Sequence, residues 1–322
     1  MKAVILAGGL GTRMRPLTYA IPKPLIPLVG KPLVVRMIES LPSSVDTVIL
    51  AVSYMKEALE DYFRVSPCGR KIIIVNETTP LGTGGAIKNV AQHLDETFIA
   101  MNGDQISSVG LKAMVRAHRE KGGLGTIALW QVDDPTAFGV MEVQMDGRVV
   151  NFQEKPKLEE ARSNLINAGY YVFEPDILDY IGKGQVSIER EVFPVILDHG
   201  LFGFRFEGYW TDCGTRQNFL AAQRKLLEIE NPANPPLDPS CVIAPPNLIR
   251  SSAMRGVRIG PYACIEEGVD LAQGCEVGNS LVMKGARLEV GAKVLNSIVG
   301  PGKKVGKDET IMDCICAAKN ER

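Results

Sequence analysis

Histidine is almost missing from this sequence: His93, His118 and His199 are the only three among 322 residues. Reactions that rest on a histidine base are therefore hard to build, and none can be built from the region beyond residue 199. The seven cysteines form no CxxC pair, so neither a disulfide framework nor a zinc site is expected, and buried or free thiols are the plain reading. A surplus of charge of one sign is also lacking. The formal net charge is -1, which argues against a nucleic-acid binder held by phosphate contacts. No apolar run reaches the length of a membrane span. The VILA stretch near the start is too short for a signal-peptide core and ends in Gly-Gly, so a cytoplasmic protein with no membrane partner is expected. What is present is ample core material, with 45% hydrophobic residues and 23% charged ones. The length suits one large domain or two ordinary ones.

Short apolar runs and helical segments alternate through the first third of the chain. KAVILA (2–7), TVILAV (47–52), KIIIV (71–75) and TFIAMNGD (97–104) read as strands. PLVVRMIES (32–40), KEALEDYF (56–63), GGAIKNVAQHL (84–94) and LKAMVRAHREK (111–121) read as helices. The strands are continuously apolar, as strands covered on both faces should be. The pattern predicts an α/β fold with a doubly wound, mixed but mainly parallel sheet. After about residue 124, LGTIALWQV, GVMEVQM, RVVNFQE, AGYYVF and FGFRFE follow as strands with few helices between them. They predict antiparallel additions to one side of the sheet, where a substrate pocket could be capped. RQNFLAAQRKLLEIE (216–230) is an amphipathic helix, and four prolines in the next ten residues mark a linker over 231–240.

A repeat lies beyond the linker. Ile259, Ile265, Leu271, Val277 and Met283 are six apart; the register then slips at Leu288, Val294 and Val299 and recovers at Val305 and Ile311. EVGNSLVMKG (276–285) is echoed by KVLNSIVGPG (293–302). Six-residue spacing fits a helix poorly but suits a flat-sided β-solenoid over 241–322, with one apolar residue per short strand pointing inward and about four coils.

LAGGLGTRMRPLT, Leu6 to Thr18, follows the first strand. A loop between strand and helix at the end of a parallel sheet is where α/β proteins bind ligands. Glycines let backbone N–H groups approach an anion, and Arg13 and Arg15 offer guanidinium groups, so a polyphosphate is the natural occupant. Neither GxxxxGK[ST] nor GxGxxG is present, which argues against a P-loop enzyme and a nicotinamide-dependent dehydrogenase. Prolines at 22 and 24 hold Lys23 on an extended segment, ready to meet a phosphate.

GGLGTRMRPLT (8–18) followed by PKPLIPLVGKPLV (22–34) resembles the sugar-1-phosphate nucleotidyltransferases. The resemblance runs in order over residues 1–230. LGTGGAI (81–87) is similar to the family's base loop, NGD (102–104) to its first metal-binding turn and YWTDCGT (209–215) to the segment with its second metal ligand. FGV (138–140), EKP (154–156) and NAGYYVF (167–173) are similar to its sugar-phosphate pocket. The C-terminal repeat resembles the left-handed β-helix carried by many members.

The resemblance implies transfer of a nucleotidyl group from an NTP to a sugar 1-phosphate, with pyrophosphate released. Arg13 and Lys23 would act on the phosphates as the catalytic pair. Leu6, Ala7, Gly8, Gly9, Gly11, Thr12, Arg13, Gly82, Thr83, Gly84, Asn102 and Asp104 would hold the nucleotide. Gly139, Glu154, Lys155, Asn167 and Gly169 would hold the sugar phosphate, and Asp104 and Asp212 would ligate Mg²⁺. LGTGGA resembles the guanylyltransferases acting on mannose or heptose phosphates, which points to GTP and mannose 1-phosphate; glucose-1-phosphate thymidylyl-, uridylyl- or adenylyltransferases stay open. Cys213 departs from the family's usual aliphatic residue or threonine and leaves Asp212 in place. Acetyl transfer in the β-helix is not expected without a histidine there, and a homo-oligomer joined through the β-helix is. A non-catalytic regulatory subunit on the same scaffold is the rival reading, disfavoured because Arg13, Lys23, Asp104, Lys155 and Asp212 are all retained.

Overall fold

The computed structural model describes residues 1–251 and 254–318. Its contacts group the chain into two compact units that depart from linear order. One comprises Met1–Gly9 and Val34–Trp210; the other comprises Leu10–Leu33 and the chain from Thr211 onward.

The first unit carries β1 (Lys2–Leu6), α1 (Leu33–Ser40), β2 (Thr47–Val52), α2 (Lys56–Val65), β3 (Lys71–Asn76), α3 (Gly82–Asn89), β4 (Phe98–Asn102), β5 (Gln105–Ser107) and α4 (Leu111–Lys121). β6 (Gly125–Gln131), β7 (Gly139–Val143), β8 (Val149–Glu154), β9 (Leu165–Phe173) and β10 (Leu201–Arg205) follow. Nine strands form one mixed sheet in the order β8-β7-β9-β4-β1-β2-β3, with β6 beside β9 and β10 beside β6. The block β4-β1-β2-β3 is parallel, with Lys2–Leu6 in register with Thr47–Ala51 on one side and Phe98–Asn102 on the other. The interior of β1 and nearly all of β2 and β4 are buried, which is why they read as unbroken apolar runs.

β9 begins the antiparallel half, pairing with β4, β6 and β7. FGFRFE departs from the expected antiparallel addition: its strand, β10, runs parallel to β6. The helix expected over 84–94 starts at Gly82, ends at Asn89 and is followed by a separate 3₁₀ turn at Ala91–His93. A core of Val4, Ile49, Phe98, Ala100, Ile127, Tyr171, Phe173 and Phe193 fills one layer of this unit. Tyr171 and Phe173 stack within it at 5.3 Å.

The chain enters the second unit within β11 (Trp210–Asp212) and continues into α5 (Arg216–Glu230), whose first turn is capped by the Thr215 hydroxyl on Asn218 N. The C-terminal part is a three-sided parallel β-helix. Ile259, Val277, Val294 and Ile311 stack on one side, Ile265, Val282 and Val299 on the second, and Leu271, Leu288 and Val305 on the third. The stacked partners of these last coils lie 17 residues apart. The six-residue frame fails at Met283. Val282, five residues after Val277, points inward, and Met283 stands outside that stack. In the last three coils one corner is a residue shorter than at Ile259–Ile265, and Asn279, Asn296 and Asp313 there adopt left-handed backbone (φ 44°, 48° and 53°). Asn and Asp tolerate that region better than other residues with a Cβ. The Asn279 side-chain amide donates to Asn296 Oδ1 at 2.8 Å, joining successive corners.

Candidate active site

In the first unit, the ends of the parallel strands gather the expected nucleotide residues other than Gly11, Thr12 and Arg13, which belong to the second unit. Leu6 pairs with Asn102, so the glycine loop and the NGD turn leave the sheet side by side. Gly103 N donates to Leu6 O at 2.9 Å, and a Cβ there would lie 2.6 Å from that same oxygen. The close approach requires glycine, and it fixes where Asp104 begins. Ala7 N donates to Ala51 O, and the Ser53 hydroxyl donates to Gly8 O, tying the loop to the end of β2.

Glu77, just past the end of β3, escapes motif reading. Its side chain is buried, at 6% exposure, and its Oε2 accepts Leu81 N at 3.3 Å. A Cβ on Gly8 would stand 3.1–3.3 Å from the Glu77 carboxylate, so the glycine loop and the base-loop segment close on this one acidic group. Burial pushes its carboxyl above the usual range, only partly offset by the Leu81 amide. A buried carboxylate in a loop otherwise free of charge is the signal that could have marked it.

The LGTGGA glycines serve packing as well as approach. Gly84 N and Gly85 N both donate to Val186 O, at 2.9 and 3.2 Å, so these two amides are already engaged. Gly82 is left-handed (φ 70°), and a Cβ there would lie 2.6 Å from Val186 O. The Thr83 hydroxyl donates to Glu189 Oε2 at 2.7 Å and accepts Ile188 N at 3.0 Å. These partners lie on a π-turn, Ile188–Val192, that no sequence motif announces.

The expected sugar-phosphate residues also meet in the first unit. Glu154 pairs with Gly139 across the β7–β8 ladder, and a Cβ on Gly139 would lie 3.2 Å from Glu154 Oε2. Lys155 is left-handed (φ 50°), with its amide on Phe138 O at 2.9 Å and its ammonium 3.7 Å from Glu154. Arg190 of the π-turn stands 3.7 Å from the same carboxylate and is a second missed residue. On β9 the register shifts between Asn167 and Tyr171, and Gly169 (φ 72°) lies in that irregularity. Asn167 accepts Gly169 N at 2.9 Å and donates to the Tyr171 hydroxyl at 2.8 Å. A Cβ on Gly169 would fall 1.9 Å from Gln105 Oε1 and 2.6 Å from Asn102 Nδ2. Among the described residues, Asn102 Oδ1 and Gln105 Oε1 are buried acceptors without a hydrogen-bond donor.

The second unit gathers the remaining charged residues. Gly11 (φ 60°) opens the 3₁₀ turn Thr12–Met14, and its carbonyl accepts the Thr18 hydroxyl at 2.9 Å. A Cβ on Gly11 would meet Thr18 Cγ2 at 2.9 Å and Lys23 Cβ at 3.4 Å, so the loop folds over the buried stem of Lys23. Arg15 lies over the Tyr19 ring at 4.9 Å, a cation–π contact. Arg13 is 61% exposed and reaches within 4.0 Å of Asp212 Oδ2. Asp212 Oδ1 accepts Gly214 N at 2.6 Å, and a Cβ on Gly214 would lie 2.4 Å from Arg13 Nη2. YWTDCGT thus holds a carboxylate and a guanidinium together, with the buried Cys213 as anchor beneath them.

Among the described residues, no group of three or more His, Cys, Asp or Glu is placed to hold a metal. Asp104 and Asp212 offer carboxylate oxygens, the donor type that Mg²⁺ takes beside waters and substrate phosphate oxygens. Among the same residues, no helix is long and apolar enough to cross a membrane.

Residues 2–229 match the family model for nucleotidyl transferases, and residues 238–321 match that of the GMPPB C-terminal domain. Mannose-1-phosphate guanylyltransferase 1 of Arabidopsis thaliana is 36% identical over 319 residues, covering 95% of this chain and 88% of the relative. Mannose-1-phosphate guanylyltransferase of Mycobacterium tuberculosis is 36% identical over 310 residues, covering 91% and 82%. The crystal structure of HddC from Yersinia pseudotuberculosis superposes with a TM-score of 0.61 at 30% identity, covering 70% of this chain and 99% of HddC. By the match over residues 2–229 and these full-length relatives, the chain belongs to the nucleotidyl transferase family.

Proposed function

We propose that this protein is a mannose-1-phosphate guanylyltransferase, joining GTP and mannose 1-phosphate to give GDP-mannose and pyrophosphate. A phosphate monoester is largely ionised at neutral pH, its second pKa being near about 6, so the attacking oxygen needs no general base. The work is to hold two polyanions with their charge neutralised. Arg13 and Lys23 are assigned to the nucleotide phosphates and the departing pyrophosphate, and Lys155 to the phosphate of the sugar. Glu154 and Asn167 are assigned to the sugar hydroxyls, beside the open acceptors on Asn102 and Gln105. Asp104 and Asp212 are assigned as ligands of Mg²⁺, which when bound would offset phosphate charge.

The observation that carries the guanine assignment is Glu77. A carboxylate presents two acceptors side by side. Guanine alone among the common bases offers two adjacent donors on its pairing edge, N1–H and the N2 amino group. The relatives named as mannose-1-phosphate guanylyltransferases, and the HddC crystal structure complexed with GMP-PN, support the same base. Mannose rests on the names of the relatives. The catalytic domain is taken as 1–230 and the β-helix as 241–322, of which 252–253 and 319–322 lie outside the described residues, with the β-helix as the surface for self-association. Seven cysteines carried as thiols suit a reducing, cytoplasmic setting.

The test is pyrophosphate release across five nucleoside triphosphates and several sugar 1-phosphates with Mg²⁺, with Asp104→Asn as control. GTP with mannose 1-phosphate should give the highest kcat/KM. No turnover with any pair, or equal turnover by the variant, would overturn the proposal.

A further inference from the structure

α5 lies directly after Asp212–Thr215 and is fastened to the β-helix along its length. At its first residue, the Arg216 guanidinium donates to Asn296 O and reaches Asp313 Oδ1 at 3.1 Å. At its middle, fully buried Gln223 donates to Tyr262 O at 2.8 Å and Ser280 O at 3.1 Å. Near its far end, Glu228 accepts the Tyr262 hydroxyl at 3.1 Å, and Arg224 lies over the Tyr262 ring at 5.0 Å. Tyr262, Asn279, Asn296 and Asp313 all have left-handed backbone and recur every 17 residues, so they form one corner of the β-helix. Arg216 meets a carbonyl of one coil and a carboxylate of the next because the shortened corner stacks them. A guanidinium can satisfy both acceptors at once; an ammonium is a single point charge.

The β-helix also backs the loop that bears Arg13 and Lys23. A Cβ on Gly300 would lie 3.2 Å from Leu17, and one on Gly30 would lie 2.4 Å from Arg250 Nη2 and 2.9 Å from Leu248. Leu17 has no exposed surface. Both members of the Arg13–Asp212 pair are therefore mounted on the same β-helix, one through Leu17 and Gly30 and the other through Arg216.

We propose that Arg216 is a positioning residue, and that its clamp on the Asn296–Asp313 corner lets the β-helix set where Asp212 stands against Arg13 and Gly214. Arg216 touches no substrate in this role. It fixes the start of α5, and with it the Asp212-to-Thr215 turn whose Gly214 amide closes on Asp212. The β-helix is then part of the phosphate-handling machinery, and a ligand or partner gripping that corner would change activity without entering the substrate pocket. The inference rests on the proposed role of Asp212, although its first readout does not.

The experiment compares wild type, Arg216→Ala, Arg216→Lys and Tyr262→Phe as full-length proteins checked by circular dichroism. Hydrogen exchange of a peptide spanning residues 211–216 is read first. Mn²⁺ affinity in the presence of GTP, by electron paramagnetic resonance, is read second, and the kcat/KM split third. Arg216→Ala should speed exchange of that peptide and weaken Mn²⁺ affinity about 10-fold, the low end for loss of a group supporting a metal ligand. KM for the sugar 1-phosphate should stay unchanged. Arg216→Lys should recover part of the loss, and Tyr262→Phe, at the far end of the same helix, should leave both readouts at wild-type values. Unchanged exchange in folded Arg216→Ala would overturn the proposal. So would equal acceleration in Tyr262→Phe, which would mean general loosening of α5. If exchange changes but no form of the protein binds Mn²⁺, the assignment of Asp212 to the metal fails while the positioning role stands.

Discussion

Replacing Glu77 by glutamine offers the most direct test of the guanine assignment. The substitution keeps the size of the side chain and an oxygen for the Leu81 amide, which sits 3.3 Å from Oε2. It converts the second acceptor into a donor that must face guanine's own donors. A hydrogen bond to a charged group contributes about 1.5–3 kcal/mol, and a buried donor left unpaired costs a similar amount. Inosine triphosphate lacks the N2 amino group and so forgoes one of the two bonds to the carboxylate. Wild type should therefore prefer GTP over ITP by about 1.5–3 kcal/mol, or about 10- to 150-fold in kcat/KM. In Glu77→Gln the GTP value should fall by a comparable factor and the preference should shrink to within about 3-fold, since the bond that ITP cannot make is gone from both. Folding should not suffer. Burial already disfavours the ionised carboxyl at this position, and a neutral amide escapes that cost. The assay is initial-rate pyrophosphate release with each nucleotide at fixed sugar 1-phosphate, alongside thermal melts. An undiminished GTP-over-ITP ratio in a folded Glu77→Gln protein would refute the reasoning.

Three further outcomes are expected. Gly169→Ala places a Cβ 1.9 Å from Gln105 Oε1 at φ 72°, so urea denaturation should show a loss of about 2–4 kcal/mol, and KM for the sugar 1-phosphate should rise. Lys155→Met should raise KM for the sugar 1-phosphate about 10-fold and leave KM for GTP alone. Its side chain is 58% exposed and its 3.7 Å pairing with Glu154 is weak, so the melting temperature should hold. The third concerns His118, buried between the Thr126 hydroxyl at 2.9 Å and Glu174 at 3.0 Å; burial lowers its pKa, against the pull of Glu174. The unfolded chain then takes up a proton more readily than the folded one, so this stability is full above an unfolded pKa of about 6.5 and is lost as pH falls below it. Urea midpoints should drop from pH 7.5 to pH 5.5, and the drop should shrink in His118→Gln; an identical drop in the variant would dispose of this account.

Motifs whose chemistry is local were legible from the chain alone. Glycines at positions 8, 9 and 11 and the Pro-Lys-Pro segment suggest a polyphosphate site from residue types and spacing, whereas the NGD turn is singled out only by the family resemblance. Continuous apolar runs announced strands buried on both faces at β1, β2 and β4, although the equally apolar β3 is only half-buried at the sheet edge, and six-residue spacing announced a β-solenoid, since each signal is set by the period of its own backbone. The 17-residue coil was half visible: the echo between 276–285 and 293–302 carried it, yet the frame placed Met283 where Val282 belongs. Only the left-handed corner at Asn279 shows where the residue is dropped. Side chains whose meaning depends on a distant neighbour were not legible. Glu77 looks like a solvated loop acid until Gly8 closes over it, and Arg190 looks like a surface charge until the π-turn brings it to Glu154. Arg216 looks like the first exposed turn of an amphipathic helix until Asn296 and Asp313 line up beneath it, 80 and 97 residues further on. Sequence determined the periods, the turns and the charges of this protein. Tertiary structure alone decided which of those charges leave water and meet, because burial and pairing depend on where the chain returns to itself.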